Sequence, residues 1–493
     1  MDQRLVSVVP SERQVAFQKT EFYAFVHFTV NTFTDKEWGD GTEDPEIFYP
    51  AKLDARQWVS AIRDAGMKGL ILTCKHHDGF CLWPSKYTGH TVAHSPFRRD
   101  VVREVSDACR EQGLKFGIYL SPWDRNSKLY GRGREYDDYF ICQLEELLTD
   151  YGEIFCVWFD GACGEGENGK KQYYDWERYY QTIRRLQPGA CINVCGPDVR
   201  WCGNEAGHTR ESEWSVVPAR TRDTEKIAEE SQKEDNTEFR LRKISAWDED
   251  LGSRKALENE TELVWYPAEV NTSIRPGWFW HDSENGQVRS LEELKRIYYH
   301  SVGGNATFLL NIPPTRDGLF HENDVQRLRE MGDFLKKAFA VNLTADAHIT
   351  AWTPRDAGDK RGTNDSGAEE NAVDIKPLVV SEEDDAWYQG EKGSSAPCIL
   401  ARWSKPVSIG HIVLKENIRM SQRVERFRVS ALMGGEFRII YEGTVIGYKK
   451  IIPLKQGLWT DALRIEITDS RCEPTLAFLG IYAAQGNLEQ KKK

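Results

Sequence analysis

Between residues 23 and 339 the chain alternates two patterns. Short, almost wholly apolar runs come first: YAFVHF (23–28), KGLILT (68–73), KFGIYL (115–120), EIFCVWFD (153–160), ACINVC (190–195), ELVWYPAEV (262–270) and NATFLLNI (305–312). Longer stretches follow them, in which apolar residues recur every three to four positions. These are 54–66, 99–113, 136–152, 173–189, 290–303 and 323–339. The first pattern predicts strands buried on both faces and the second predicts amphipathic helices. Asp54 and Asp100 stand where N-caps belong, and Gly66 and Gly113 where helices stop. Strand–helix alternation at this length predicts a parallel (β/α)-barrel of the TIM type. The rival, a doubly wound open sheet, would usually carry a glycine-rich phosphate turn. No GxGxxG or GxxxxGK[ST] occurs.

Two stretches break the alternation. Residues 219–262 are dense in both charge signs and read as a solvated insertion with helical pieces. Insertions after barrel strands sit on the active face, so this one is placed to wall a cleft. Beyond Asn342 the pattern changes to short alternating runs separated by turn residues: PCILARW, SIGHIVLKENI, ERFRVSAL, EFRIIYEG, ALRIEITDS and AFLGIYAA. That predicts a β-sandwich. The expected division is a barrel over 1–340 and a sandwich over 341–493, with the EQKKK tail frayed.

Composition narrows the partners. The net charge of −12 argues against nucleic acid or an anionic membrane. No run is long and apolar enough for a membrane span, and the first residues lack the layout of a signal peptide. The eleven cysteines are odd in number, form no CxxC pair, and several lie inside apolar runs (Cys74, Cys156, Cys191). They read as reduced, buried thiols, so the expected location is the cytoplasm. No cofactor and no metal are expected. Sixteen tryptophans, with 19 tyrosines and 21 phenylalanines, suit a core and also suit the apolar faces of sugar rings.

In a barrel the chemistry belongs at the C-terminal ends of the strands. His27 ends the first run, His76 and His77 the second, Tyr119 the third and Asp160 the fourth. After the fifth comes a polar loop with Glu205, and with Glu211 and Glu213 as rivals. Asp160 leaves an apolar strand and is followed at once by Gly161. It is either a structural carboxylate bonding loop amides or a nucleophile or base held by its strand. Two carboxylates across a small pocket can cleave a glycosidic bond, with retention or inversion set by their separation. Adjacent histidines rarely ligate one ion. Neutral imidazoles can instead donate at one nitrogen and accept at the other, as hydroxyl recognition needs. SIRPGWFW (273–280) offers Trp278 and Trp280 for core packing or sugar stacking, and Trp38 sits on a loop after the first strand.

The segments FVHFTVNTFTDKEWGDG, GLILTCKHHDGFCLWPSKYT, KFGIYLSPWD and VWFDG closely resemble the α-L-fucosidases of glycoside hydrolase family 29, across the whole barrel region. WCGNEAGHTRESEWSVV resembles the branch selective for α-1,3/1,4-linked fucose on Lewis-type glycans. The resemblance implies a retaining double displacement with Asp160 as nucleophile and Glu205 as general acid/base. It also implies that His27, His76, His77 and Tyr119 hold the fucose hydroxyls. Trp38 and one of Trp278 and Trp280 match positions lining the sugar pocket. The segment 423–454 resembles a discoidin-like, galactose-binding sandwich, which here is expected to buttress the barrel. The implied partner is a fucosylated oligosaccharide or glycoconjugate. Rivals on the same barrel are an α-L-galactosidase, a transfucosidase and a non-catalytic glycan-binding protein.

Overall fold

The computed structural model describes residues 2–231, 250–354, 372–382 and 386–485. Eight parallel strands form the first sheet: β1 (Phe22–Val26), β2 (Gly69–Lys75), β3 (Lys115–Leu120), β4 (Cys156–Phe159), β5 (Cys191–Val194), β6 (Arg200–Trp201), β7 (Ala268–Ser273) and β8 (Ala306–Asn311). Their spatial order is β5-β4-β3-β2-β1-β8-β7-β6, which is chain order read around a circle. A parallel bridge from Asn193 to Val199 closes the ring between β5 and β6. The expected TIM-type barrel is therefore the observed one.

The longest helices of the barrel region are α1 (Ala55–Asp64), α2 (Val101–Gln112), α3 (Arg134–Asp150), α4 (Trp176–Leu186), α5 (Leu291–Ser301) and α6 (Glu322–Ala338). Their ends follow the local chemistry. The Asp54 carboxylate accepts from the amides of Arg56 and Gln57, and Asp100 accepts from Arg103. Gly113 ends α2 at φ 73°, a left-handed conformation that suits glycine.

Two expectations change in the structure. ELVWYPAEV is two strands, not one. Leu263–Trp265 pairs antiparallel with Val216–Pro218, and β7 begins after Pro267. Proline has no N–H to give a central ladder, so the chain changes sheet there. The sixth barrel strand is Arg200–Trp201, which is too short and too polar to show in the hydrophobic pattern. Glu205 accordingly follows β6, not β5. The insertion folds, as far as it lies within the described residues, into a 3-10 turn (Ala219–Arg222) and a helix (Thr224–Ser231). Its stretch 232–249 and the EQKKK tail lie outside the described residues.

The C-terminal domain is antiparallel, as expected. β9 (His348–Trp352), β10 (Cys398–Lys415), β11 (Val424–Met433), β12 (Glu436–Gly443), β13 (Lys450–Ser470) and β14 (Phe478–Ala483) form one hydrogen-bonded sheet. The runs PCILARW and SIGHIVLKENI join into the single strand β10, whose pairing with β13 shifts register at Arg402/Val407 and Ile409/His411. Such irregularities bend long strands, letting one sheet wrap its own core.

That domain fastens to the N-terminal end of the barrel. Val413, Ile451, Phe478 and Tyr482 belong to the barrel's own apolar cluster. Glu21, next to β1, receives Lys449 at 2.9 Å, Lys415 at 3.4 Å and the Tyr448 hydroxyl at 2.9 Å. Burial opposes the Glu21 charge, but Lys449, Lys415 and, at 3.6 Å, Lys68 hold its carboxyl far below the usual range. Glu21→Gln would leave the nearly buried ammonium of Lys449 without its carboxylate, while Lys415 keeps Glu382 at 2.6 Å, and should cost about 3–5 kcal/mol. Urea unfolding at neutral pH reads this directly. A loss below about 1 kcal/mol, the range of an exposed pair, would show that the cluster does not hold the domains together.

Candidate active site

The strand ends deliver the expected residues to one place. The HHDG segment answers how two adjacent histidines can share a pocket. The β2/β3 register slips between Thr73 and Lys75, and the chain then turns, with the Gly79 amide donating to the His76 carbonyl at 3.0 Å. Gly79 takes φ 78°, and a Cβ there would meet Asp124 at 2.4 Å. Out of the strand, the two imidazoles no longer diverge: their centroids lie 4.1 Å apart. His27 packs 5.6 Å from His76, and Tyr119 stacks on His76 at 5.6 Å.

The barrel fixes the tautomers of His27 and His77. The Asn311 amide nitrogen donates to Ser273 Oγ (2.9 Å) and to the Trp278 carbonyl (2.8 Å). Its Oδ1 is thereby turned toward His27 and accepts from Nδ1 at 2.8 Å. Similarly, Ser121 Oγ donates to the Trp123 carbonyl and accepts from His77 Nδ1, each at 2.7 Å. Both rings therefore keep Nε2 as an unprotonated acceptor. Burial pushes the pKa of His27 and of His77 down to about 3, and that of His76 well below its ordinary value. All three are neutral at neutral pH.

Asp160 follows β4 directly. Its Oδ1 accepts from the Ala162 amide at 2.8 Å and its Oδ2 from the Tyr119 hydroxyl at 3.0 Å. Burial raises its pKa, and those donors work against the rise. His77 Nε2 stands 3.7 Å from Oδ2. One ligand atom from each of His76, His77 and Asp160 lies within 4.8 Å of the others, so a single polar group could touch all three. The insertion reaches this point: a Cβ on Gly161 would lie 2.3 Å from Ser231 Oγ and 3.1 Å from Ile227. The helix Thr224–Ser231 thus backs the Asp160 loop.

Glu205 enters from the other side. Its Oε2 accepts from Trp278 Nε1 at 3.3 Å, and its carbonyl is held by Thr272 Oγ1 at 2.8 Å. The Trp278 ring packs 5.2 Å from His27, which connects Glu205 to the histidine cluster. Its two rivals lie in other surroundings. Glu213 is buried in ion pairs with Arg200 and Arg210, a structural role, and Glu211 is exposed. Trp38, 39% exposed, packs edge-on against His77 and Trp123. Trp280, an expected candidate, does not join the cluster. Its indole donates to Asn285 at 3.2 Å, and the Arg316 guanidinium sits 5.6 Å over its ring.

The sequence reading missed Asn311, Ser121 and Trp123. Asn311 was visible by the rule that found the others, as the one polar residue at the end of an apolar run. Ser121 and Trp123 lie in a loop, and only the turn of the chain brings them to the site.

With this geometry in place, comparison with known proteins identifies its origin. The model of the α-L-fucosidase family matches residues 9–338. The chain belongs to the α-L-fucosidase family of glycoside hydrolases. Alpha-L-fucosidase 1 of Arabidopsis thaliana is 36% identical over 481 residues, covering 96% of this chain and 87% of that protein. Among solved structures, a putative alpha-L-fucosidase from Bacteroides ovatus superposes with TM-score 0.80 at 43% identity, covering 97% of this chain and 74% of that one. A family 29 fucosidase from Ruminococcus gnavus, solved in complex with fucose, superposes with TM-score 0.79 at 28% identity, covering 98% of this chain and 96% of that one.

One clamp sets the spacing of the pocket walls. Glu37, beside Trp38, accepts from the amides of Trp278 (2.8 Å) and Phe279 (3.2 Å) and from His281 Nε2 (2.7 Å). His281 Nδ1 pairs with Asp35 at 2.8 Å. The bond to Glu37 is the largest cause raising the His281 pKa to about 9. A histidine with a raised folded pKa contributes stability that is full below about 6.5 and lost as pH rises through about 9. The melting-temperature gap between the wild type and His281→Ala should therefore be widest at pH 6 and close by pH 10. A gap independent of pH would show that His281 acts by packing alone.

Proposed function

We propose that this enzyme is a retaining exo-α-L-fucosidase that releases fucose from α-1,3/1,4-fucosylated, Lewis-type glycans. The observation that carries the catalytic part is a carboxylate held at the mouth of the barrel by two donors. A second carboxylate faces the same histidine cluster through one indole. Asp160, ionised, attacks the anomeric carbon. Glu205, protonated, gives its proton to the departing glycosidic oxygen. Glu205 then takes a proton from water, which displaces Asp160 and frees fucose with its configuration kept.

The histidines read the sugar. Two Nε2 acceptors with fixed tautomers, together with His76 and the Tyr119 hydroxyl, suit a ring bearing several hydroxyls. Because the imidazoles are neutral, they place no positive charge beside an oxocarbenium-like transition state. A sugar with one inverted hydroxyl would leave a buried polar group unpaired. Trp38 and Trp278 supply the apolar walls. The catalytic machinery lies within 1–340, and the domain over 341–493 buttresses it. Free thiols buried at every cysteine but Cys142 suit a cytoplasmic enzyme acting on imported oligosaccharide.

Asp160→Asn should lower kcat by ~10³-fold or more while leaving fucose binding within a few-fold, measured by turnover and by calorimetry. Near-normal turnover would remove Asp160 from the mechanism.

The linkage and the role of Glu205 are tested together. The wild type should prefer a branched Lewis-type trisaccharide over a linear α-1,2-fucosylated one. Glu205→Gln should cost ~10²–10⁴-fold on the trisaccharide and less on an aryl fucoside, whose leaving group needs little protonation. Equal activity on all three substrates would withdraw both the linkage and Glu205. Dialysis against a chelator should leave every rate unchanged. A loss restored by a divalent cation would reassign the His76–His77–Asp160 cluster to a metal.

A further inference from the structure

Outside the barrel, between α5 and the C-terminal sheet, lies a cleft of about 650 Å³. It sits at the N-terminal end of β8, where Gly304 bridges to Lys450. Asn311 and the catalytic cluster are at the other end of that strand. The cleft is basic, although the protein as a whole carries −12. Lys295, Arg296 and Lys450 all line it, against the single carboxylate of Glu292, which is taken up by Lys295 at 2.7 Å.

Among the described residues, no carboxylate lies within ion-pair distance of half-buried Lys450 or of exposed Arg296. Glu211 acts on Lys450, and Glu293 on Arg296, only from farther away. Burial and the cations of the cleft together keep its histidines neutral. Burial, then Arg296, His208 and Lys450, lower the pKa of His300. Burial, then Lys295, lowers that of His411 to about 4. A cation withdrawn from water without a partner is costly, and an anion seated beside it removes that cost.

The walls carry a second signature. The Tyr299 hydroxyl bonds His411 Nε2 at 2.7 Å, which fixes that ring in the wall. Phe334 and Tyr441 complete an aromatic lining. Aromatic faces and positive charge without a close carboxylate, in a cleft of small-ligand size, describe a receptor for a polar ring bearing a negative group.

We propose that this cleft is a second carbohydrate-binding site, formed jointly by the barrel and the C-terminal domain, for sugars carrying a carboxylate or a sulfate. It is separate from the catalytic pocket and would hold an acidic part of a glycan, or a neighbouring chain, while fucose is removed elsewhere.

Calorimetric titration of the full chain with glucuronate, glucose 6-sulfate, glucose and inorganic sulfate tests it without using turnover. Glucuronate or glucose 6-sulfate should bind at least about tenfold more tightly than glucose, since one charge-assisted bond accounts for that difference. The two acidic sugars distinguish a carboxylate from a sulfate ligand. Arg296→Gln, an exposed change that leaves the fold alone, should weaken the preferred ligand by about tenfold, and Lys450→Gln by at least as much. Hydrolysis of an aryl fucoside should be unchanged in both variants, which confirms their fold independently. No binding of either acidic sugar, or binding untouched by both substitutions, would overturn the site. Inorganic sulfate binding as tightly as glucose 6-sulfate would overturn its assignment to carbohydrate.

Discussion

The active site depends on one side-chain amide. Asn311, at the end of β8, donates to Ser273 on β7 and to the Trp278 carbonyl, and accepts from the ring and backbone of His27, directly after β1. These bonds close the barrel mouth between three strands. They also decide which nitrogen of His27 carries the proton. The Trp278 backbone is held from two directions, by Asn311 and by Glu37, and its indole reaches Glu205. The tautomer of His27 and the orientation of the second carboxylate are thus set by the same small network. Burial does the rest by keeping all three histidines neutral.

The barrel was legible in the sequence because its strands are buried on both faces and so are nearly continuous in apolar residues. β6 was not, because two residues carry no periodicity. β7 was blurred by its merger with Leu263–Trp265, a segment that Pro267 sends to a different sheet. Most of the site was legible for a related reason. A polar residue that ends an apolar strand has little structural cause to be there, and His27, His76, His77, Tyr119 and Asp160 obey that rule. Ser121 and Trp123 do not, since a loop residue carries no such signal. Trp278 and Trp280 could not be separated from spacing alone, because the turn after β7, not the order of residues, decides which indole enters.

The C-terminal domain contributes more than a cap. Gln422 accepts from the Ser215 amide at 2.9 Å and donates to the Glu213 carbonyl at 3.2 Å. It therefore holds the far end of the segment that carries Glu205. The same domain anchors Glu21 beneath β1 with two lysines. Such supports let a long irregular segment after a two-residue strand keep a defined position, which a carboxylate on a free loop would lack.

The central claim is that Asp160 forms a covalent bond to the sugar. Incubation with a 2-deoxy-2-fluoro fucosyl donor bearing a good leaving group slows both steps and should let the glycosyl-enzyme accumulate. Mass spectrometry of the digested protein should then find one added fluorosugar, on the peptide containing Asp160. An enzyme inactivated with the label on another carboxylate, or turned over with no label at all and with inverted product, would contradict the account.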